Sequence, residues 1–392
     1  MNPRVYILAI ASFVVGTVEL IIGGTLDMIA RDLSVSLSAA GQLITVFSLS
    51  FAITAPILLH LTRQVERKKL YLACLSVFFL SNVFAALSPS YLVLLLARIV
   101  AASSGSLLVI LSITIAAGIV QPAYRGRAIG VIFMGISGSL VLGVPLGMML
   151  GNLYGWRAPF WLIATLSIVA MVCLGLFLPK VSTPDPVPLK QQLAALKNVK
   201  IISAHFTPFF MLTGHLTLYA YFTPFLQQTM GLSAGWLSIT YFLFGIAAVM
   251  GGGIGGWLSD KWGATRSIIT IISLFAVIMA FLPLATHSFA LFMVVMVLWS
   301  SLSWAISPAQ QHYLIHCAPE TADIQMGLNT SVLHIGVAGG SLIGGFVAER
   351  ASVFYNAWVG AAIVVLSLVC AIFSITRPLV GQKVPLTDNS SA

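Results

Sequence analysis

Apolar runs of about twenty residues follow one another along the whole chain, the length a helix needs to cross a bilayer. Twelve are legible, at 5–26, 39–61, 70–88, 91–119, 127–150, 157–179, 201–226, 235–258, 267–286, 288–312, 326–348 and 354–376. In lipid, backbone groups have no partners but one another, so these segments predict helices and an all-α polytopic membrane protein. The first run begins beside Arg4 and no small-residue cleavage site follows it, so it reads as a retained span. The one long polar interruption, Pro179 to Lys200, holds four prolines and then Leu189–Lys200, where a short surface helix is predicted. It divides the chain into a six-helix bundle at 1–179, a linker at 180–200, a second six-helix bundle at 201–376 and a tail at 377–392.

Basic residues occupy alternate loops. With the amino terminus inside, fifteen Lys and Arg lie on the cytoplasmic side. Only Arg31, Arg157 and Arg350 lie outside, and Arg98 falls within a span. That asymmetry predicts two cytoplasmic termini. The composition, 59% hydrophobic and 7% charged, leaves more apolar surface than a soluble fold can hide. The net charge of +9 is therefore a topology signal and no argument for a nucleic-acid partner. Cys74, Cys173, Cys317 and Cys370 are scattered, with no C-x-x-C, which points away from a disulfide framework or a zinc site. A Gly-rich phosphate loop with its lysine is missing, which argues against ATP-driven transport.

Glu19 is the only acidic or basic residue of the Asp, Glu, Lys, Arg and His set between Val5 and Leu26. A carboxylate at such depth is costly and usually faces a protein interior or an aqueous cavity. If span one ends near Leu26 and span four begins near Tyr91, Glu19 and Arg98 each lie seven residues below one surface, roughly 10 Å deep. Packed side by side they could pair, with the arginine favouring the ionised carboxylate and desolvation opposing it. The two bundles also echo each other at an offset of about 195 residues, as in transporters built from repeats with a cavity between them. That offset carries Glu19 to His215. A mid-membrane imidazole can bind substrate or carry a proton, or it can be a neutral core histidine held by a neighbour. His334 is a similar case. Gln42, Tyr219, Trp304, Gln310 and Asn329 could stack on and hydrogen-bond a planar polar ligand; each could equally be packing between helices.

The loop Gly256-Trp257-Leu258-Ser259-Asp260-Lys261-Trp262-Gly263-Ala264-Thr265-Arg266 resembles the loop signature of the major facilitator superfamily. Its glycines suit a tight turn and close helix approach, and Asp260 suits a charge-assisted contact. The first-half copy, Leu59 to Lys69, has Leu59 and Glu66 where the family has glycines, and Arg63 where it has aspartate. Arg98 sits where the family's fourth span carries its arginine. Gly135–Gly147, with Gly143 and Pro145, resembles the Gly/Pro-rich fifth span of antiporters, and Gly155-Trp156-Arg157 opens the sixth span as in exporters. Glu19 with Gly23 and Leu26, Gly214–Phe222 and Ser303–Gln311 are most similar to the drug:proton antiporter-1 family, and within it to the purine-base efflux members, with sugar and drug exporters next.

The resemblance implies a twelve-helix fold in two pseudo-symmetric bundles in a bacterial cytoplasmic membrane. It implies proton-coupled efflux of small organic molecules by a monomer without a cofactor, most readily of purine bases or nucleosides. Glu19 and Arg98 would couple protons. Asp260, Gly256, Gly263, Arg266, Gly143 and Pro145 would gate. The rival readings are a passive facilitator, which Glu19 disfavours, and a membrane-embedded metal enzyme. The latter would use His312 and His316, which share one helical face but lack the glutamate of a zinc hydrolase.

Overall fold

The computed structural model describes residues 3–121, 125–179, 198–318 and 321–378. Most of the linker and nearly all of the tail lie outside the described residues, as do the expected linker helix up to 197 and the side chain of Asp323. The described chain is helical throughout. α1 (Arg4–Asp32), α2 (Leu37–Leu61), α3 (Arg67–Ala86) and α4 (Tyr91–Gly118) are followed by α5 (Arg125–Gly138), a π turn (Ser139–Gly143) and α6 (Val144–Tyr154), which together make one crossing. After α7 (Ala158–Phe177), the second set begins with α8 (Val199–Tyr219) and α9 (Phe222–Met230). It continues with α10 (Ala234–Trp262), α11 (Ala264–Ala285), α12 (Phe289–Cys317), α13 (Ala322–Arg350) and α14 (Asn356–Thr376).

Among the described residues, eleven helices are long and apolar enough to cross a membrane. The expected seventh span is the exception. It arrives as α8 and α9, broken at Ala220–Tyr221, and α8 buries Lys200, His205, Thr207, Thr213, His215 and Thr217. Span one is longer than expected, running to Asp32. Glu19 therefore sits thirteen residues from that end, roughly 20 Å at 1.5 Å per residue, near the middle of the helix. The π turn precedes Pro145, which has no N–H to return to the carbonyl of Val141, so the helix widens there by one residue.

Local chemistry sets the helix ends. Ser36 caps α2 by accepting from the Ala39 N–H, and Asn198 caps α8 through the Lys200 N–H. Glu66 caps α3, its carboxylate accepting from the N–H groups of Lys68 and Lys69 at 3.0 and 3.1 Å. That accounts for a glutamate where the loop signature has glycine. Gly263 joins α10 to α11 at φ 81°, a conformation that would strain any residue with a Cβ.

Helix contacts are close where small residues recur every fourth position. Against α1, a Cβ on Gly135 would strike the Ala9 carbonyl, one on Gly143 would strike Thr17, and one on Gly147 would strike Ile21. Against α8, Gly340 meets Thr213 and Gly344 meets Thr217 in the same way. Thr17 and Thr213 are 196 residues apart, as are Ile21 and Thr217, and the paired glycines are 197 apart. The α1–α5/α6 seam of one set is thus repeated as the α8–α13 seam of the other, and Glu19 falls opposite His215.

Two lysines close the outermost helices. Lys68 donates to the carbonyls of Gly175 and Leu178 at the end of α7, at 2.8 and 2.5 Å. Lys200, buried, donates to Ser374 and Arg377 at the end of α14, at 3.0 and 2.7 Å. Each ammonium meets the negative end of a helix dipole and its unpaired carbonyls. Lys200→Met should therefore destabilise the fold by about 1.5–3 kcal/mol, the range for hydrogen bonds to a charged donor. A thermal melt in detergent checks this, and an unchanged melting temperature would show that the cap contributes nothing.

Candidate functional site

Glu19 lies midway along α1, where the two sets of helices meet. Its Oε1 is 3.4 Å from Nδ1 of His334 on α13, at an angle that does not make a hydrogen bond. The His334 ring stacks on Phe51 of α2, with centroids 3.9 Å apart. Side-chain exposures of 22% for Glu19 and 12% for His334 leave both within reach of water. Arg98 stands behind them on α4 at 1% exposure. It donates through Nη1 to the Val18 carbonyl at 2.6 Å, and its guanidinium lies 4.0 Å over the Phe47 ring. The expected Glu19–Arg98 ion pair is not formed within 4.0 Å. Span one extends further than the depth argument assumed, and the guanidinium is held on backbone next to the carboxylate. Arg98 still feels the charge of Glu19 at longer range.

In the second set, His215 is enclosed by rings. Tyr219, Phe244, Phe275 and Trp299 have centroids 5.3, 6.2, 5.8 and 5.0 Å from its own. His215 Nδ1, the Tyr219 hydroxyl and Trp299 Nε1 are all buried without a hydrogen-bond partner. Buried polar atoms are normally satisfied, so three orphans in one aromatic cluster stand out. Trp299 was not legible as a site residue, because a tryptophan in an apolar run carries no signal of its own.

The other expected ligands divide. Gln310 is buried and donates from Nε2 to the Ala204 carbonyl at 2.7 Å, joining α12 to α8. Asn329 is buried in α13 with an unpartnered Oδ1, and Trp304 is half-buried. Gln42 does not face the site. It is exposed on the stripe of α2 that continues through Leu49, Ile53 and Ile57, the perimeter of the bundle. The helical period turns Gln42 away from the face of α2 that carries buried Gly41, Thr45 and Ser48.

The two sets close on each other toward the face where α1 ends. Thr223 and Tyr241 both donate to the Gly23 carbonyl, at 3.1 and 3.3 Å. Gln227 donates to Asp27 at 3.3 Å, Ser341 to the Gly41 carbonyl at 2.8 Å, and Thr45 to that of Ala338 at 3.4 Å. Gly245 on α10 packs directly on Leu140 and Val141 of the π turn. The hydrogen bonds placed between described residues of the two sets all lie toward this face. Toward the other face Tyr6 and Ile10 of α1 are half exposed, whereas Ile21, Ile22 and Leu26 are fully buried. The molecule is closed at the far face and parted at the near one. Asp27 was missed because the first apolar run appeared to end at Leu26.

On the near face, Asp260 and Arg266 are exposed, and Asp260 makes no ion pair among the described residues. Gly256 has room for a side chain; the close approach of α10 to α12 is made instead by Gly251 and Gly255, on the carbonyls of Ser301 and Ala305. His312 shares a 2.9 Å hydrogen bond with Ser259. Among the described residues there is no group of three or more side chains that could hold a metal.

Two sets of membrane-length helices around a central polar site, closed at one face and parted at the other, have the architecture of a membrane transporter. The chain belongs to the Major Facilitator Superfamily, whose family description matches residues 8–336. It is a multi-pass membrane transporter of small molecules and not an enzyme. It is 39% identical over 369 residues to an uncharacterized MFS-type transporter, YbcL, of Bacillus subtilis (strain 168), covering 94% of this chain and 95% of that one. It is 29% identical to a second such transporter of the same organism, YtbD, over 93% of both. Among solved structures, the fold matches a bacterial homologue of the human lysosomal transporter Spinster. The TM-score is 0.82 for its inward-facing, occupied form and 0.72 for its inward-facing, unoccupied form, each at 17% identity over 95% of this chain and 96% of that one. It also matches the human organic anion transporter MFSD10 (TETRAN), with a TM-score of 0.69 at 17% identity over 94% of this chain and 98% of that one.

Gly245→Val would force a branched side chain against the Leu140 carbonyl and should disfavour closure at the far face. Spin labels on Ser34→Cys and Ser233→Cys, both exposed at that face, should report a longer separation as the major species. An unchanged distance distribution would mean that the π turn does not limit closure.

Proposed function

We propose that the chain exports small, mostly uncharged organic molecules in exchange for protons, with both termini in the cytoplasm. On that orientation the parted face is cytoplasmic and the structure is inward-facing. The observation that carries the reading is Glu19: a carboxylate at mid-membrane, within reach of water, at the junction of the two sets, with a buried arginine behind it. Such a group is expensive to keep in a bilayer unless it serves a substrate or ion path. In the proposed cycle Glu19 takes a proton from outside and releases it inward, and the substrate leaves in the opposite direction. The loop at Asp260 latches the cytoplasmic face when that side closes, and the packing at Gly143 and Pro145 seals the first set. The protein acts as a monomer.

The aromatic cluster around His215 supports a planar, uncharged substrate. Rings supply stacking surface, and the orphan atoms of His215, Tyr219 and Trp299 supply hydrogen bonds. Trp304 and Asn329 would complete its surroundings. Purine bases and nucleosides are the first substrates to test; drugs and sugars are the second.

Inside-out vesicles carrying the purified protein should concentrate labelled hypoxanthine, adenine or guanosine when a proton gradient is imposed. Glu19→Gln mimics the permanently protonated carboxyl. It should reduce this uphill uptake to the level of protein-free vesicles while retaining exchange across equal concentrations and a normal melting temperature. Retention of uphill uptake by Glu19→Gln would remove Glu19 from coupling. Loss of stability, exchange and uphill uptake together would make its role structural. Entry that stops at the outside concentration, with or without the gradient, would indicate a facilitator.

The orientation has its own test. Asn2→Cys and Ser390→Cys should resist an impermeant maleimide in intact cells and react after lysis. Labelling of either from outside would overturn the topology.

A further inference from the structure

We infer that Glu19 and His334 form a single proton-binding site shared by the two sets of helices, and that the proton it holds ties those sets together. The inference rests on the reading of Glu19 as the proton-carrying carboxylate and assigns it a partner. Three elements build the site. α1 supplies the carboxylate, α13 of the other set supplies the imidazole 3.4 Å away, and α2 supplies Phe51, on which that imidazole is stacked at 3.9 Å. The stack holds a ring of the second set against a helix of the first. Nδ1 makes no hydrogen bond in this arrangement, so the atom facing Glu19 is free to take a proton.

Charge decides what the proton does. Arg98 is occupied by the Val18 carbonyl and the Phe47 face, so the counter-charge available at contact distance is His334. With one proton on the pair, Glu19 is anionic and His334 cationic, and they attract across the boundary between the sets. A second proton neutralises Glu19, removes the attraction and leaves His334 and Arg98 as two cations on either side of it. Loss of the first proton leaves a neutral imidazole and a carboxylate with only Arg98 nearby. The singly protonated pair is therefore the form that holds α1 against α13.

The surroundings offer few rivals. Arg98 on α4 is the other charged group at this level. α2 contributes Phe47 and Phe51 and no titratable side chain, and α5, α6 and α12 place none at this depth. α8 contributes His215, which is packed among Tyr219, Phe244, Phe275 and Trp299, and the Tyr219 hydroxyl. Glu19 is partly exposed and His334 Nδ1 is buried beside it, so a proton reaches the pair by way of the carboxylate.

The test uses the full chain, freed of its four native cysteines and reconstituted, with spin labels on Gln64→Cys and Val199→Cys. Both positions are exposed at the near face, one on each set. In otherwise unaltered protein the near-open population should peak at intermediate pH and fall on both sides, as two coupled protonations require. His334→Phe keeps the stack on Phe51 but binds no proton. With no imidazolium there is no attraction to gain or lose, so it should flatten both limbs. His334→Gln, a non-titrating side chain that can still hydrogen-bond Glu19, should behave likewise and covers the case in which the phenylalanine variant melts early. Glu19→Gln should flatten both limbs. A His334→Phe or His334→Gln profile that still falls on either side would overturn the shared site. If Glu19→Gln has meanwhile lost uphill uptake, that result leaves the proposed antiport standing. Flat profiles in the unaltered protein would overturn the shared site as well.

Discussion

Arg98 is almost fully buried at the level of the lipid interior, and the protein has to replace the water it gave up. It does so with a backbone carbonyl, an aromatic face and a carboxylate at longer range. Burying a charge without such partners costs several kcal/mol. The constraint shapes the whole centre of the molecule. α1 must present the Val18 carbonyl toward α4, so Glu19, the next residue, turns toward the boundary between the two sets. The position of the carboxylate thus follows from how the arginine is satisfied. Lys68 and Lys200 obey the same rule at the membrane edge, each spending its donors on the carbonyl end of a neighbouring helix.

Around that centre, stability and movement draw on different contacts. Within each set, glycines four or eight residues apart bring helices together on α1 and α8. Between the sets the contacts include hydrogen bonds to single carbonyls, at Gly23, Gly41 and Ala338, the Gln227–Asp27 bond, the His334 stack on Phe51 and the close packing of Gly245. Such contacts are individually worth about 0.5–1.5 kcal/mol, small enough to be exchanged for a matching group at the other face. Rigid bodies joined by a few replaceable contacts are what a rocking transporter needs. The weak likeness between the halves in sequence is a close likeness in packing, because the small residues at the seams recur at nearly the same offset while the lipid-facing positions are free to vary.

The loop at Gly256–Arg266 shows how far a motif can be read alone. Its turn residue, Gly263, does what the motif implies, since φ 81° admits little else. Its first glycine does not. Gly256 meets nothing closer than ordinary contact, and the helix approach falls to Gly251 and Gly255. Glu66 in the damaged copy, where glycine was expected, turns out to cap α3. A motif specifies the local backbone, whereas which neighbour lies against it depends on the crossing angle of helices far away in sequence.

The amino-acid sequence by itself determined the fold class, nearly all of the spans and the two polar residues that could not be ignored, Glu19 and Arg98. Hydrophobic length and the cost of buried charge are local properties, and a single chain displays them directly. It also brought His215 and Tyr219 into view, by repeat offset and by composition. Only the tertiary structure decided that Glu19 meets His334 and not Arg98, that Trp299 completes the aromatic cluster, that Gln42 faces away, and that Asp27 is drawn into the far-face contact. These are matters of helix rotation and of where a helix ends. A helix in lipid can turn about its axis with little change in hydrophobic burial, so periodicity leaves its facing undetermined until packing against neighbours fixes it.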